Sequence, residues 1–373
     1  MPDIMPACED RAAPNMTARR WPFAVSAIVL GVAAAALIAE VTARVAGAAP
    51  LRTDDDWQAE HRRLYQTSQT GALPYDLRPS SRAVFAYRGQ PVEYRINEDG
   101  IRADRRYAIP KPAGVRRIVM LGDSVLFGLG VAREATFAAR VEAALGVEVV
   151  NGGIGGYNTA AERLWFDGRG RRYEPDAVVL VYCPNDVDDP VDHFSAHTAE
   201  RLSQQPEEMI PNPAYHAQAA ALQVSTGPRP QRSWRVAAAE TADWTMRQSA
   251  LATLCLRPFA HGGSRPYERC LLSAADSASK ELAWLRRQLA GLRAQTNAPA
   301  YFVYVPIAYE LHSNNAAYRR GRANVARAAV DAGFRVVDVI APLEAVPTPY
   351  LDVTHLSAAG HAIVADVLIQ NLR

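Results

Sequence analysis

From about residue 116 to the C-terminus, hydrophobic and polar positions follow two alternating rhythms. Short apolar runs at 118–121, 147–150, 177–181, 301–305 and 335–339 predict buried strands. Between them the apolar residues recur at helical spacing. Phe137, Val141 and Leu145 mark one helix, and Leu282, Leu285, Leu289 and Leu292 mark another. An Ala- and Arg-rich helix is expected between the fourth and fifth strands. A last helix from about Ser357 should bury Ile363, Val364, Val367 and Leu368. Thr159-Ala160-Ala161-Glu162 has the form of a capping box and opens a further helix.

Strands that alternate with helices predict a parallel sheet of about five strands with helices on both faces. Right-handed crossovers make this a three-layer, doubly wound α/β fold of the flavodoxin-like kind. In such sheets, ligands bind beyond the C-terminal ends of the strands. The reactive residues to look for are therefore those that directly follow a strand.

Three segments break the rhythm. Residues 21–39 are uncharged and strongly apolar, and at 1.5 Å per residue they span about 28 Å, close to a bilayer core. Arg19 and Arg20 precede them, which places residues 1–20 as a cytoplasmic tail and everything after the anchor outside. A signal peptide cleaved near Ala46-Gly47-Ala48 is the rival reading, and Arg19-Arg20 also has a weak twin-arginine form. Residues 40–112 form a connecting region, in which VEYRINEDGIRA reads as two short strands around an Asp99-Gly100 turn. Residues 113–373 make the main domain. They are interrupted by an insertion at 187–275, rich in Pro, His, Gln and Ser, which is expected to cap the ligand site with Trp234 and Trp244.

Composition narrows the function classes. The 373 residues carry a net charge of +2, so no strong field points to nucleic acid. The 49% hydrophobic content supports one large α/β domain plus extras. Lys111 and Lys280 are the only lysines, a bias we assign to codon usage. Four cysteines make no disulfide scaffold, although Cys255 and Cys270 can pair if they lie outside the cytoplasm. Cys8 and Cys183 read as unpaired.

Four places after predicted strands can carry chemistry. Gly122-Asp123-Ser124 puts a serine hydroxyl on the turn leaving the first strand. Asn151-Gly152-Gly153-Ile154-Gly155-Gly156-Tyr157-Asn158 follows the second, with glycines that let bare amides approach a ligand. It lacks the G-x-x-x-x-G-K-[ST] pattern of a nucleotide site. Asn185-Asp186 follows the third. Asp352-Val353-Thr354-His355 precedes the last helix and pairs an imidazole with a carboxylate able to orient it. His361 is a rival base without that partner. Asp186, Asp188, Asp189, Asp192 and His193 are of metal-ligating type but read better as a solvated acidic loop, as does Asp54-Asp55-Asp56 near the membrane.

Together the four places resemble the four sequence blocks of the SGNH/GDSL hydrolases, over roughly residues 116–186 and 299–372. MLGDSV matches the nucleophile block, and in VVNGGIGGYNT Gly156 falls on the family's oxyanion glycine. Cys183-Pro184-Asn185-Asp186 keeps the Asn of G-x-N-D but replaces its Gly, and Asp352 to His355 matches D-x-x-H. The membrane segment and Gly100-Ile101-Arg102 resemble a membrane-anchored bacterial branch of the family. The resemblance implies a serine esterase with Ser124 as nucleophile, His355 as base and Asp352 as its orienting carboxylate. The Ser124 and Gly156 amides and the Asn185 side chain would form the oxyanion hole, with no metal and no cofactor. The Cys-Pro replacement stiffens the backbone beside Asn185. The fold does not fix the substrate; the apolar anchor instead points to periplasmic, inner-membrane-tethered catalysis on a small-molecule or carbohydrate ester, with short acyl esters of an envelope carbohydrate as the leading expectation. Acyl transfer, lipid hydrolysis and a silent binding module are the alternatives.

Overall fold

The computed structural model describes residues 21–46, 61, 63–68, 73, 75–87, 91–187, 245, 249, 251, 252, 255 and 268–373. The tail 1–20 with Cys8, the Ala46-Gly47-Ala48 motif beyond Ala46, Asp54 to Asp56, Asp188 to His193, Trp234 and Trp244 lie outside the described residues. The chain divides into two compact units, Met1–Thr53 with Pro230–Gly263, and Asp54–Arg229 with Ser264–Arg373.

In the smaller unit, α1 (Trp21–Val45) is a single helix of 25 residues. Its window Ile28–Val45 is long and apolar enough to cross a membrane, with a mean hydropathy of 2.0. Glu40 near its end pairs with Arg44 one turn on, at 2.7 Å. The same carboxylate accepts from Ser249 Oγ at 2.6 Å and from the Leu251 amide at 3.0 Å. This part of the insertion therefore packs with the apolar helix.

The larger unit begins with two short antiparallel pairs. β1 (Tyr65–Thr67) pairs with β2 (Tyr75–Leu77), and β3 (Arg82–Ala86) pairs with β4 (Pro91–Arg95). The expected hairpin around Asp99-Gly100 is not formed. The strand that pairs with β4 precedes it, and the Asp99-Gly100 turn is instead closed locally. Asn97 Oδ1 accepts from the amides of Asp99 and Ile101, and Gly100 takes a φ of 70°.

The main sheet follows. Its strands are β5 (Arg117–Gly122), β6 (Glu148–Gly153), β7 (Ala177–Tyr182), β8 (Ala300–Tyr304) and β9 (Arg335–Val337). All pair in parallel, in the order β6-β5-β7-β8-β9. The helices are α2 (Ser124–Phe127), α3 (Phe137–Leu145), α4 (Thr159–Gly168), α5 (Glu268–Ala275), α6 (Lys280–Arg293), α7 (Ala308–Leu311), α8 (Ala316–Asp331), α9 (Ile340–Glu344) and α10 (Ala358–Leu372).

Two cores sandwich the sheet because successive strand residues face opposite sides. Ile118, Met120, Val179 and Val181 pack with Phe137 and Val141 of α3 and with Val364 and Leu368 of α10. Val119, Leu121, Val178 and Leu180 pack with Trp165 of α4, the four leucines of α6 and Val325 of α8. This is the predicted three-layer, doubly wound fold. Ile363 and Val367 of α10 are only half-buried at the rim of their core.

Two local expectations fail, and the open question of the cysteines is answered. The α4 cap is Asn158, whose side chain accepts from the Ala161 amide at 3.0 Å. Thr159 is thus already inside the helix, and Glu162 is buried with both carboxylate oxygens unpartnered. The expected insertion boundary at 275 cuts into the core, since α5 buries Cys270, Leu271 and Ala274 and packs on α8. Cys255, exposed, and Cys270, buried, are both free thiols, as is Cys183.

The connecting region is also more than a linker. Leu64, Tyr65, Tyr75, Leu77, Phe85, Tyr94 and Ile96 belong to the same apolar core as β5, β7 and α6.

Candidate active site

The β5 strand ends at Gly122, and the chain turns at once into α2. Asp123 caps that short helix, its Oδ1 accepting from the Val125 amide at 2.8 Å. Ser124, partly exposed, then sits on the first turn at the C-terminal edge of the sheet. Arg102 clamps the far end of α2. Its buried guanidinium donates to the carbonyls of Phe127, Gly128 and Val131, each at 2.7 Å, with its face 4.5 Å from the Tyr94 ring centroid. Burial pulls the Arg102 pKa down to about 10, which leaves it charged at neutral pH.

The loop from 350 to 356 supplies the other side. It is pinned by the Tyr350–Leu356 bridge and by Leu351 N donating to His355 O at 2.7 Å. Asp352 Oδ1 accepts from the amides of Thr354 and His355, both at 2.8 Å, and its Oδ2 lies 2.8 Å from His355 Nδ1. His355 Nε2 lies 2.9 Å from Ser124 Oγ. Ser124, His355 and Asp352 thus form one continuous hydrogen-bonded chain. Although burial opposes it, the His355 ring and amide together hold the Asp352 carboxyl well below the usual range, so Asp352 is an anion beside the imidazole.

The glycine-rich stretch lies alongside. Gly153 is required by packing, since a Cβ there would collide with the Phe127 amide of α2. Asn151 braces the same junction, accepting from the Gly153 amide at 2.9 Å and donating to Leu126 O at 3.1 Å. Gly156, partly exposed, has a φ of 79°, which favours glycine. These first glycines therefore serve backbone packing. Only the Gly155-Gly156 end borders the serine, a Cβ on Gly155 falling 3.6 Å from Ser124 Cβ.

Asn185 lies in a single helical turn, Pro184–Val187, and donates to Asp123 Oδ2 at 3.0 Å. The Cys-Pro replacement is accommodated by burying Cys183 and by Asp186 Oδ2 accepting from the Cys183 amide at 2.8 Å. Burial pushes the Cys183 thiol well up, so it is an inert core group. Asp186, of metal-ligating type by its sequence, is fully buried. Burial, then repulsion from Glu162 and Asp123, raises its carboxyl well above the usual range. Among the described residues no His, Cys, Asp and Glu group can hold a metal ion. His361 is buried in α10 against Phe137, whose amide donates to its Nδ1 at 3.3 Å. Burial lowers its pKa to about 3, so it is a neutral core residue.

Three tyrosines at the site have no sequence signal. Tyr87, just after β3, donates from its hydroxyl to Asp352 Oδ2. Tyr75 of β2 donates to Gly155 O at 2.8 Å. The Tyr65 hydroxyl lies 3.0 Å from His61 Nε2, on the face of Gly155 where a Cβ would come within 2.8 Å of it. Each comes from a segment so far away in the chain that no local motif could link it to the blocks it touches.

Residues 120–363 match the sequence model of the GDSL-like lipase/acylhydrolase family. No curated protein matches the chain. Among solved structures, it is similar to a lipase/acylhydrolase from Enterococcus faecalis, with 12% identity over 69% of this chain and 95% of that one, at a TM-score of 0.39. It is also similar to an acetyl xylan esterase, with 15% identity over 69% of this chain and 100% of that one, at 0.39. A catalytic mutant of an acetylxylan esterase from Geobacillus stearothermophilus shows 15% identity over 69% and 94%, at 0.36. The match spans the sheet from β5 to α10 and takes in Ser124, Asn185, Asp352 and His355, and by it the chain belongs to the GDSL-like lipase/acylhydrolase family and is an ester-hydrolysing enzyme.

Proposed function

We propose that the protein hydrolyses short acyl esters, acetyl esters of an envelope carbohydrate first among them, through an acyl-enzyme on Ser124. The observation that carries this reading is the hydrogen-bonded chain from Ser124 Oγ through His355 to Asp352. His355 Nε2 takes the Ser124 proton as Oγ attacks the ester carbonyl. Asp352 holds the ring with Nδ1 protonated and balances the imidazolium charge. His355 then gives the proton to the leaving alcohol, and water, activated by the same imidazole, releases the acid. The amides of Ser124 and Gly156 and the Asn185 side-chain amide are assigned to the developing oxyanion. One such donor is worth roughly 2.7–4 kcal/mol in the transition state.

A short acyl group is supported by the buried Tyr65 beside Gly155, which limits the space next to Ser124. The apolar helix α1 supports a membrane-tethered enzyme, with Arg19 and Arg20 inside and Ser124 on the periplasmic side. The test is kinetic. Ser124→Ala is expected to remove hydrolysis of a chromogenic acetyl ester and labelling by a fluorophosphonate, with an unchanged melting temperature. Retained turnover would reject the mechanism. In an acyl series from acetyl to palmitoyl, the wild type should peak at the shortest chains, and a maximum at about eight carbons or longer would reject the substrate class. A C-terminal reporter fusion active only outside the cytoplasm checks the orientation.

A further inference from the structure

The segment before the family-matched region reaches the reacting groups, and Tyr87 is its contact with them. The residue leaves β3 and lies half-buried over Gly130. Gly130, at a φ of 89°, has no Cβ to hold it off; one there would sit 3.2 Å from Tyr87 Cδ1 and collide with Leu351. The Gly130 amide in turn donates to Tyr94 Oη of β4 at 2.8 Å, which fixes the hairpin to the turn behind the nucleophile. Held there, the Tyr87 ring meets His355 edge-on, with centroids 5.1 Å apart at 75°. Its hydroxyl donates to Asp352 Oδ2 and lies 3.3 Å from His355 Nδ1.

Asp352 Oδ2 is the oxygen that faces His355 Nδ1 at 2.8 Å, so one carboxylate oxygen takes both the imidazole and the phenol. Oδ1 is already held by the two amides at 2.8 Å. With both oxygens pinned, the carboxylate cannot rotate about its Cβ–Cγ bond, and the imidazole it orients cannot swing from Ser124.

Resting on the Ser-His-Asp reading, we propose that Tyr87 is a positioning residue of this enzyme: its hydroxyl fixes the rotamer and shares the charge of Asp352, so that the hairpin outside the family-matched region completes the active site. Two consequences follow. Without the hydroxyl, the carboxylate wobbles, and turnover falls while substrate binding does not. The charge no longer shared with the phenol also acts more fully on the imidazolium, favouring the protonated base, so the acidic limb of activity moves to higher pH.

The experiment compares full-length wild type, Tyr87→Phe and Tyr87→Leu in detergent, reading kcat and KM for an acetyl ester across pH, the melting temperature and the fluorophosphonate labelling rate. Tyr87→Phe is expected to lower kcat by roughly 10- to 100-fold, the range for a hydrogen bond to a charged group, with KM within about twofold. Its acidic limb of kcat/KM should rise by about half a pH unit. That midpoint does not depend on how much of the sample is folded, so it reads the hydroxyl even if the variant melts early. Tyr87→Phe with wild-type kcat and an unmoved limb would overturn the proposal, whether or not Tyr87→Leu loses activity, because only ring packing would then matter. A loss of kcat without movement of the limb would overturn it also. A wild type that neither labels at Ser124 nor loses activity in Ser124→Ala would sink the underlying mechanism and this inference with it. A labelling wild type beside an indifferent Tyr87→Phe rejects the inference alone.

Discussion

Single hydrogen bonds set the geometry of this site. The peptide between Gly155 and Gly156 carries a carbonyl on one side and, on the other, the amide assigned to the oxyanion. Tyr75 donates to that carbonyl at 2.8 Å. A donor on the carbonyl fixes the peptide plane and polarises it, which strengthens donation by the amide at its other end. Tyr75→Phe should therefore leave KM for an acetyl ester near the wild-type value and lower kcat by about tenfold. The loss is bounded by the roughly 2.7–4 kcal/mol of a whole oxyanion donor. Unchanged kcat in steady-state assays would show that the peptide keeps its plane without help.

Elements act on the site through their ends. The helix that begins at Ser124 has only four residues, so its own hydrogen bonds hold it weakly. Asp123 closes one end and Arg102 the other. Of the three carbonyls that Arg102 satisfies, that of Gly128 also accepts from the Val131 amide at 3.3 Å, and those of Phe127 and Val131 would each cost about 1–3 kcal/mol if left buried and unpaired. Arg102→Met keeps most of the volume and removes all three donors. It is expected to lower stability by several kcal/mol by that reckoning, read as a shift of the denaturant midpoint at unchanged slope. A midpoint within error of wild type would mean that water replaces the guanidinium. Arg102→Lys should rescue little, because an ammonium lacks the planar fork that spans three acceptors.

At the scale of the molecule, the boundary that matters lies near residue 54. The family match begins at residue 120, and the strand and helix rhythm along the sequence puts the start of the domain at 113. The core disagrees, because Leu64, Tyr75, Phe85, Tyr94 and Ile101 are buried with the sheet residues. A chain starting at residue 54 should fold cooperatively and hydrolyse an acetyl ester in the absence of detergent. One starting at 113 should show no cooperative melting transition, having lost this packing together with Arg102, Tyr75 and Tyr87. Equal melting temperatures for the two would show that the early strands are an appendage.

Features that repeat locally, or that sit beside their own element, are legible in the chain before it folds. The strand and helix rhythm yields the five-stranded doubly wound sheet, because burial on two faces imposes a period that any window shows. Three of the four blocks are legible because each follows its strand closely, as Ser124 follows β5 and Asn185 follows β7, and the fourth because Asp352 and His355 stand three residues apart just before the last helix. The apolar stretch at 21–39 is legible for the same reason, as a length and a composition. The remaining features depend on which distant segments pack together. Asn158 rather than Thr159 caps its helix, because the side chain one residue earlier reaches the third amide. The turn at Asp99-Gly100 ends a strand instead of joining two, because the partner of β4 lies before it. Above all, Tyr75 and Tyr87 meet Gly155 and Asp352 across 80 and 265 positions of chain. A hydroxyl so placed leaves no periodicity and no motif, since what selects it is the distance between two folded segments.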